Sequence, residues 1–271
     1  GSEMCIRDRS QEGWCTLVGH RSMGMTLQID LVGATSSPQG TPNSRATSPR
    51  RAVDLTQPPG RDFRTRDARL PPLEASRTHR VDLTVREREL EVAPATTLAA
   101  MTYNGQFMGP VLQARLGDRM QVHLVNDGSM GHSIDFHASR ASPDTTMRTI
   151  SPGQSLDVEF TIDHAGIWLY HCSTMPMSAH IAAGMFGALI VAPADLPTVD
   201  RQYVLVQSET YLAEQNNQPV DTGKIADEKV DLTMFNGHAN QYLFAPLQAR
   251  VGERVRFWAV SYTHLTLPTK R

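Results

Sequence analysis

One octapeptide occurs twice in this chain. Leu112-Gln-Ala-Arg-Leu-Gly-Asp-Arg119 returns as Leu247-Gln-Ala-Arg-Val-Gly-Glu-Arg254, and upstream Tyr103-Asn-Gly105 is matched by Phe235-Asn-Gly237. Self-similarity at a fixed period means that one structural unit is used more than once. The unit is made of strands. Leu156, Val158, Phe160 and Ile162 alternate with Asp157, Glu159, Thr161 and Asp163, the pattern of a strand buried on one face. Val81–Val85, Met120–Val125, Gly187–Ala192 and Tyr203–Ser208 read as further strands, and turn material such as Ser151-Pro-Gly153 separates them. Long helical periodicity is absent from the sequence. The expected fold class is all-β, a sandwich or barrel used repeatedly.

The run Gly166-Ile-Trp-Leu-Tyr-His-Cys172 also reads as a strand. Successive strand side chains point to opposite faces, so His171 and Cys172 can serve two different centres. Cys172, His180 and Met185 place a thiolate, an imidazole and a thioether on one loop. Soft sulfur with imidazole selects copper, and two His, one Cys and a weak axial Met make a blue-copper electron-transfer set. The earlier segment Gly131-His-Ser-Ile-Asp-Phe-His137 offers the remaining imidazole. His132 and His137, five apart, face opposite sides of an extended strand, whereas Asp135 and His137 share one. The parity assigns His132, Cys172, His180 and Met185 to one copper inside the domain. His137 and His171 then face outward to a second copper, with Asp135 beside it. Met175 and Met177 read as loop packing. His79, His123, His164 and His238 read as solvent-facing or hydrogen-bonded residues.

Composition excludes some function classes. With 26 basic and 28 acidic residues, no charge excess points to nucleic acid or an anionic membrane surface. Cys5, Cys15 and Cys172 do not make a disulfide framework when two of them sit in metal-ligand spacing. No apolar run approaches the roughly 20 residues needed to span a bilayer.

The metal loop has an echo near the N-terminus. Trp14-Cys15, His20 and Met25, followed by the strand-like 26–32, repeat the order Cys172, His180, Met185 and its following strand. This marks Cys15, His20 and Met25 as an incomplete set of type 1 copper ligands. Residues 11–33 are accordingly expected to be the C-terminal tail of an upstream domain of the same kind. Residues 34–75, rich in Ser, Pro, Thr and Arg, read as a linker. A complete domain is expected at 76–195 and an incomplete second one at 196–260. Residues 1–10 and 261–271 resemble translated sequencing-adapter remnants and are set aside from fold reasoning, His264 among them.

With those residues in hand, the chain resembles the copper-containing nitrite reductases and their multicopper-oxidase relatives over about Val81 to Val260. The motifs are Met101-Thr-Tyr-Asn-Gly105, Gly131-His-Ser-Ile-Asp-Phe-His137, Tyr170-His-Cys172, His180-Ile-Ala-Ala-Gly-Met185 and Phe235-Asn-Gly237. The resemblance implies two cupredoxin-like Greek-key β-sandwich domains per subunit, present here as one complete domain plus partial flanking ones, and a homotrimer. It implies type 1 copper at His132, Cys172, His180 and Met185, and type 2 copper at His137 and His171, shared between subunits and completed by a histidine of the next. Nitrite would be reduced to nitric oxide at the second copper, with His137, His171 and Asp135 as the catalytic residues. A small cupredoxin or cytochrome c would donate electrons, in an extracytoplasmic setting (periplasm or cell surface) and in the service of denitrification. Two departures stand out. The Cys172-to-His180 gap is one residue shorter than usual, and Leu232 stands where many members carry a second active-site histidine. The rival readings are a laccase-like oxidase reducing oxygen and a cupredoxin that only carries electrons. The first needs paired His-x-His motifs, which this sequence lacks, and Ser173 follows Cys172 where His-Cys-His would be expected.

Overall fold

The computed structural model describes residues 2–5, 11–14, 26–31, 52–140 and 148–261. Cys15, His20, Met25 and His264 therefore lie outside the described residues. The strands are β1 (Ser2–Cys5), β2 (Gln11–Trp14), β3 (Thr26–Leu31), β4 (Thr78–Ala93), β5 (Thr96–Tyr103), β6 (Leu112–Ala114), β7 (Arg119–Asn126) and β8 (Asp135–Phe136). They continue as β9 (Ser155–Thr161), β10 (Gly166–His171), β11 (Phe186–Val191), β12 (Arg201–Thr210), β13 (Leu232–Phe235), β14 (Leu247–Ala249) and β15 (Arg254–Ser261). Among the described residues three short helices interrupt them: α1 (Met177–Ala182), α2 (Thr222–Ala226) and α3 (Gln241–Phe244).

The first sandwich stacks the sheet β5-β4-β7-β9 on the sheet β6-β11-β10-β8. Alternation decides what enters between them. Leu83 and Val85 of β4, Met120, Val122 and Leu124 of β7, and Leu156, Val158 and Phe160 of β9 meet Tyr170, Leu189 and Val191 from the facing sheet. Strand β11 is apolar at every position and buried throughout, because both its faces are covered. Leu189 and Val191 enter the first core, while Ala188 and Ile190 face the other way into a second one. That second core joins the two sandwiches: Val204 and Val206 of β12, Leu232 and Met234 of β13 and Trp258 of β15 pack there against Leu169, Ala188 and Ile190. Gly187, opposite Tyr170 in the β10–β11 ladder, leaves room for the ring; a Cβ there would lie 2.2 Å from Tyr170 Cζ.

The second sandwich is built on β1-β15-β12-β13 and β14-β3-β2. The sequence repeat returns as a structural one. In the first sandwich β6 pairs in parallel with β11, Leu112 opposite Leu189. In the second, β14 pairs in parallel with β3, Leu247 opposite Ile29, and Ile29 is buried beside Tyr203, Tyr242 and Leu247. The turns of the octapeptide match as well, with Gly117 and Gly252 both at positive φ (78° and 88°).

Residues 52–75 carry almost no regular structure, but they are tied down. The Arg66 guanidinium donates to the Met108 and Gly109 carbonyls (2.6 and 2.7 Å), and Val53, Leu55 and Leu70 pack on the core between the sandwiches. The extended stretch thus reaches both sandwiches, the Leu70 amide donating to the Gln202 carbonyl at 3.0 Å. Among the described residues no helix is long and apolar enough to cross a membrane.

Candidate metal centres

Cys172 follows β10 directly, and its amide donates to the Met185 carbonyl (3.1 Å), extending the β10–β11 ladder by one step. Between these two residues the chain turns through α1, which presents His180. The Met185 amide closes the loop on the His180 carbonyl at 3.0 Å. Cys172 and Met185 face the first core, both fully buried. His132 arrives from the other side. The segment 131–137 is not one continuous strand: His132 is held by an isolated bridge to Ile150, and only Asp135 and Phe136 join β10. The side assignment nevertheless survives, because each piece is registered separately.

His132, Cys172 and His180 are buried, and their ligand atoms lie within 4.8 Å of one another. Cys172 Sγ is 3.4 Å from His180 Nδ1, and the two imidazoles meet edge to face with centroids 5.0 Å apart. His132 Nδ1 is buried without a hydrogen-bond partner. A buried polar atom left without a partner calls for an explanation, and a bound metal ion is one. Burial, and then the neighbouring His132, push His180 down to about 4; burial also lowers His132, against an opposing pull from Glu87. Both rings are therefore neutral and offer lone pairs. The Ser133 amide donates to Cys172 Sγ at 3.4 Å. Ser133 Oγ accepts from the Ser173 amide (3.0 Å) and from Thr174 Oγ1 (3.1 Å), which leaves its own proton for the sulfur, 3.8 Å away.

His171 lies on the opposite face of β10. It stands opposite Asp135 in the β8–β10 ladder, so the two side chains share a face. His137 joins them, its amide held by the Leu169 carbonyl (3.1 Å). His137 Nε2 lies 3.0 Å from His171 Nε2 and 3.3 Å from Asp135 Oδ2. Because His171 Nδ1–H donates to the Cys172 carbonyl (3.0 Å), its Nε2 is the lone-pair nitrogen, and it points at His137. Two nitrogens sharing one ion at about 2.0–2.1 Å come roughly 3 Å apart. His171 is buried; the side chains of His137 and Asp135 keep 34% and 19% of their surface, so the group opens outward. Burial alone would raise the Asp135 carboxyl, but hydrogen bonding to His137 and the two imidazoles hold it below the ordinary range. Burial pushes His171 down, with the Cys172 carbonyl opposing.

These are the two groups of three or more ligating side chains among the described residues. The other histidines have partners: His79 with Asp118 (2.7 Å), His123 with Asp157 (2.7 Å), His238 with Glu91 (3.2 Å), and His164 beside the Trp168 ring. Leu232 is buried in the core between the sandwiches. Two residues missed by sequence reasoning stand next to the donors. Ser133 had a local signal, since it follows His132; Glu87, 45 positions from His132, had none.

Comparison with known proteins bears on the family. The family description "Multicopper oxidase" matches residues 84–195. The copper-containing nitrite reductase of Neisseria gonorrhoeae is 30% identical over 188 residues, covering 66% of this chain and 48% of that protein. The solved copper nitrite reductase of Nitrosomonas europaea superposes with a TM-score of 0.61 at 34% identity, covering 68% of this chain and 67% of that one. The chain belongs to the copper nitrite reductase and multicopper oxidase family. A solved multicopper oxidase, 27% identical with a TM-score of 0.59, covers 68% of this chain and 62% of its own, which shows the same cupredoxin-like fold on the oxidase side. The chain spans about half the length of the curated relatives it matches. Copper is the family's metal, and the His132, Cys172, His180 group suits it: a thiolate with two neutral imidazoles is a soft, nitrogen-rich donor set.

Proposed function

We propose that this chain is part of a copper nitrite reductase that forms nitric oxide, with His132, Cys172, His180 and Met185 holding a type 1 copper and His137 and His171 holding a type 2 copper. The observation that carries this reading is the junction between the two donor groups. Cys172 and His171 are joined by one peptide bond, face opposite sides of β10, and are bridged again by the hydrogen bond from His171 Nδ1 to the Cys172 carbonyl. When bound, copper supplies one-electron transfer at the buried group and an open position for a small anion at the outward one.

The chain's own residues do the rest. The buried group excludes water and keeps both imidazoles neutral, so the donor set is preformed. The Cys172–His171 backbone is the covalent route along which one electron passes between the faces. Asp135 Oδ2, 3.3 Å from His137 Nε2, is placed to take up a proton and, once protonated, to hydrogen-bond nitrite and pass that proton on. Nitrite with one electron and two protons gives nitric oxide and water, so a relay beside an electron terminus is what the stoichiometry demands. The outward opening at His137 suits a third ligand from a neighbouring copy, and hence a homotrimer. A small cupredoxin or cytochrome c as donor, an extracytoplasmic setting and a role in denitrification complete the reading.

Likeness to a multicopper oxidase favours a second reading, oxygen reduction. One experiment separates the two. The full-length gene product, loaded with copper, is given nitrite and a reduced dye while nitric oxide is followed with an electrode. Nitric oxide release is expected; oxygen consumption with phenolic donors and no nitrite turnover would replace the proposal, and no turnover of either would leave an electron carrier.

A further inference from the structure

The core-facing row of β4 ends on a charge. Leu83 and Val85 point into the first sandwich, and Glu87, next on the same side, stands at the rim of that core with 29% of its side-chain surface exposed. A carboxylate at such a place needs partners. The Ser129 amide lies 3.0 Å from both its oxygens, and Ser129 Oγ is 3.3 Å away. Gly128 makes the space: a Cβ there would sit 2.9 Å from Glu87 Oε1 and 3.0 Å from Oε2. The remaining contact is His132 Nε2, 3.5 Å from Glu87 Oε1, on a ring with no exposed surface. A carboxylate only accepts, so Nε2 carries the proton. This leaves the lone pair on Nδ1, the buried atom without a partner in the donor group.

We infer that Glu87 is a positioning residue for the buried copper: it fixes the His132 tautomer and, as a carboxylate beside that ligand ring, biases the metal toward its oxidised state. The inference rests on His132 being a copper ligand, as proposed above. Its chemistry is that of an imidazole whose far nitrogen donates to a carboxylate, which raises the basicity of the near one and favours the more highly charged ion. The Asp127–Met130 turn is part of the device, since Gly128 and Ser129 hold the carboxylate in place.

The test is a redox titration of the copper-loaded chain and of Glu87→Gln, which keeps the acceptor oxygen and removes the charge. Both should show the thiolate-to-copper absorption band. At a fixed solution potential, Glu87→Gln is expected to shift the oxidised-to-reduced copper ratio about tenfold toward the reduced form, equivalent to about 59 mV for one electron. Gly128→Ala, which drives a methyl group into the carboxylate without touching a ligand, should shift it in the same direction. An unchanged ratio in both variants, with the band present, overturns the role of Glu87 while leaving the ligand set standing. A band that persists in His132→Ala removes the ligand set and this inference with it.

Discussion

The octapeptide repeat allows a paired experiment on stability. Asp118 in the first copy and Glu253 in the second occupy the same place in the same turn, each accepting from a backbone amide three residues earlier: Arg115 at 2.8 Å and Arg250 at 2.9 Å. Their surroundings differ. The Asp118 side chain has no exposed surface, and it takes His79 Nε2 at 2.7 Å and Arg77 Nε at 2.7 Å. Glu253 keeps 18% of its side-chain surface and pairs with Arg201. Asp118→Asn removes the charge from a buried site and turns one acceptor into a donor facing donors. With two charge-assisted contacts weakened, each worth about 1.5–3 kcal/mol, a loss of about 3 kcal/mol is expected. Glu253→Gln, partly wet and facing a partly exposed arginine, should cost about 1 kcal/mol. The pH dependence carries a sign. Burial alone would raise the Asp118 carboxyl, but the hydrogen bond from His79, the Arg115 amide and the Arg77 charge hold it below its ordinary value. A carboxylate depressed on folding stabilises the protein above its unfolded pKa of about 3.9, and that stability is lost as pH falls through the folded value. The gap between wild type and Asp118→Asn should thus be constant from neutral pH down to about pH 5 and close below about pH 4. Urea unfolding at several pH values measures it. An Asp118→Asn within 0.5 kcal/mol of wild type at neutral pH, or a Glu253→Gln costing as much or more, would refute the burial argument.

Two further predictions concern the metal groups. His137→Ala should leave the thiolate-to-copper band intact while nitrite turnover of the copper-loaded full-length protein falls by at least 100-fold, checked by parallel absorption and nitric oxide measurements. Ser133→Ala removes the hydroxyl facing Cys172 Sγ but keeps the backbone donor; a sulfur relieved of one hydrogen bond gives more charge to the metal, so a redox titration should show a lower copper potential, opposite in sign to Glu87→Gln.

Much of the fold could be read from spacing alone. Period-two alternation placed Leu156–Ile162 on a strand with one buried face, and the two copies of the octapeptide recur in turns that both carry a glycine at positive φ, Gly117 and Gly252. Strand parity separated Cys172 from His171 because one peptide step reverses a side chain, a local rule that long-range packing does not override. The same rule treated 131–137 as a single strand, where the structure registers His132 against Ile150 and Asp135 against His171 separately. Glu87 escaped notice for a different reason. On β4 it sits among Arg86, Arg88 and Glu89 in what reads as a solvated run, and only the wrapping of the Asp127–Met130 turn half-buries its carboxylate beside His132. Residues 52–75 look linker-like in composition, yet Arg66 finds carbonyls offered by Met108 and Gly109, partners that no local window contains.

The pairing of β14 with β3, and of β15 with β1, has a kinetic consequence. Ser2 stands opposite Phe257, so the second sandwich closes through contacts between residues far apart in sequence, whereas the first is complete by Val191. Loop-closure entropy has to be met before such contacts repay it, which makes them slow to form. Refolding should therefore be biphasic, with a fast phase that survives deletion of residues 1–31 and a slow phase that does not; a single phase unaffected by the deletion would show that the second sandwich forms without those strands.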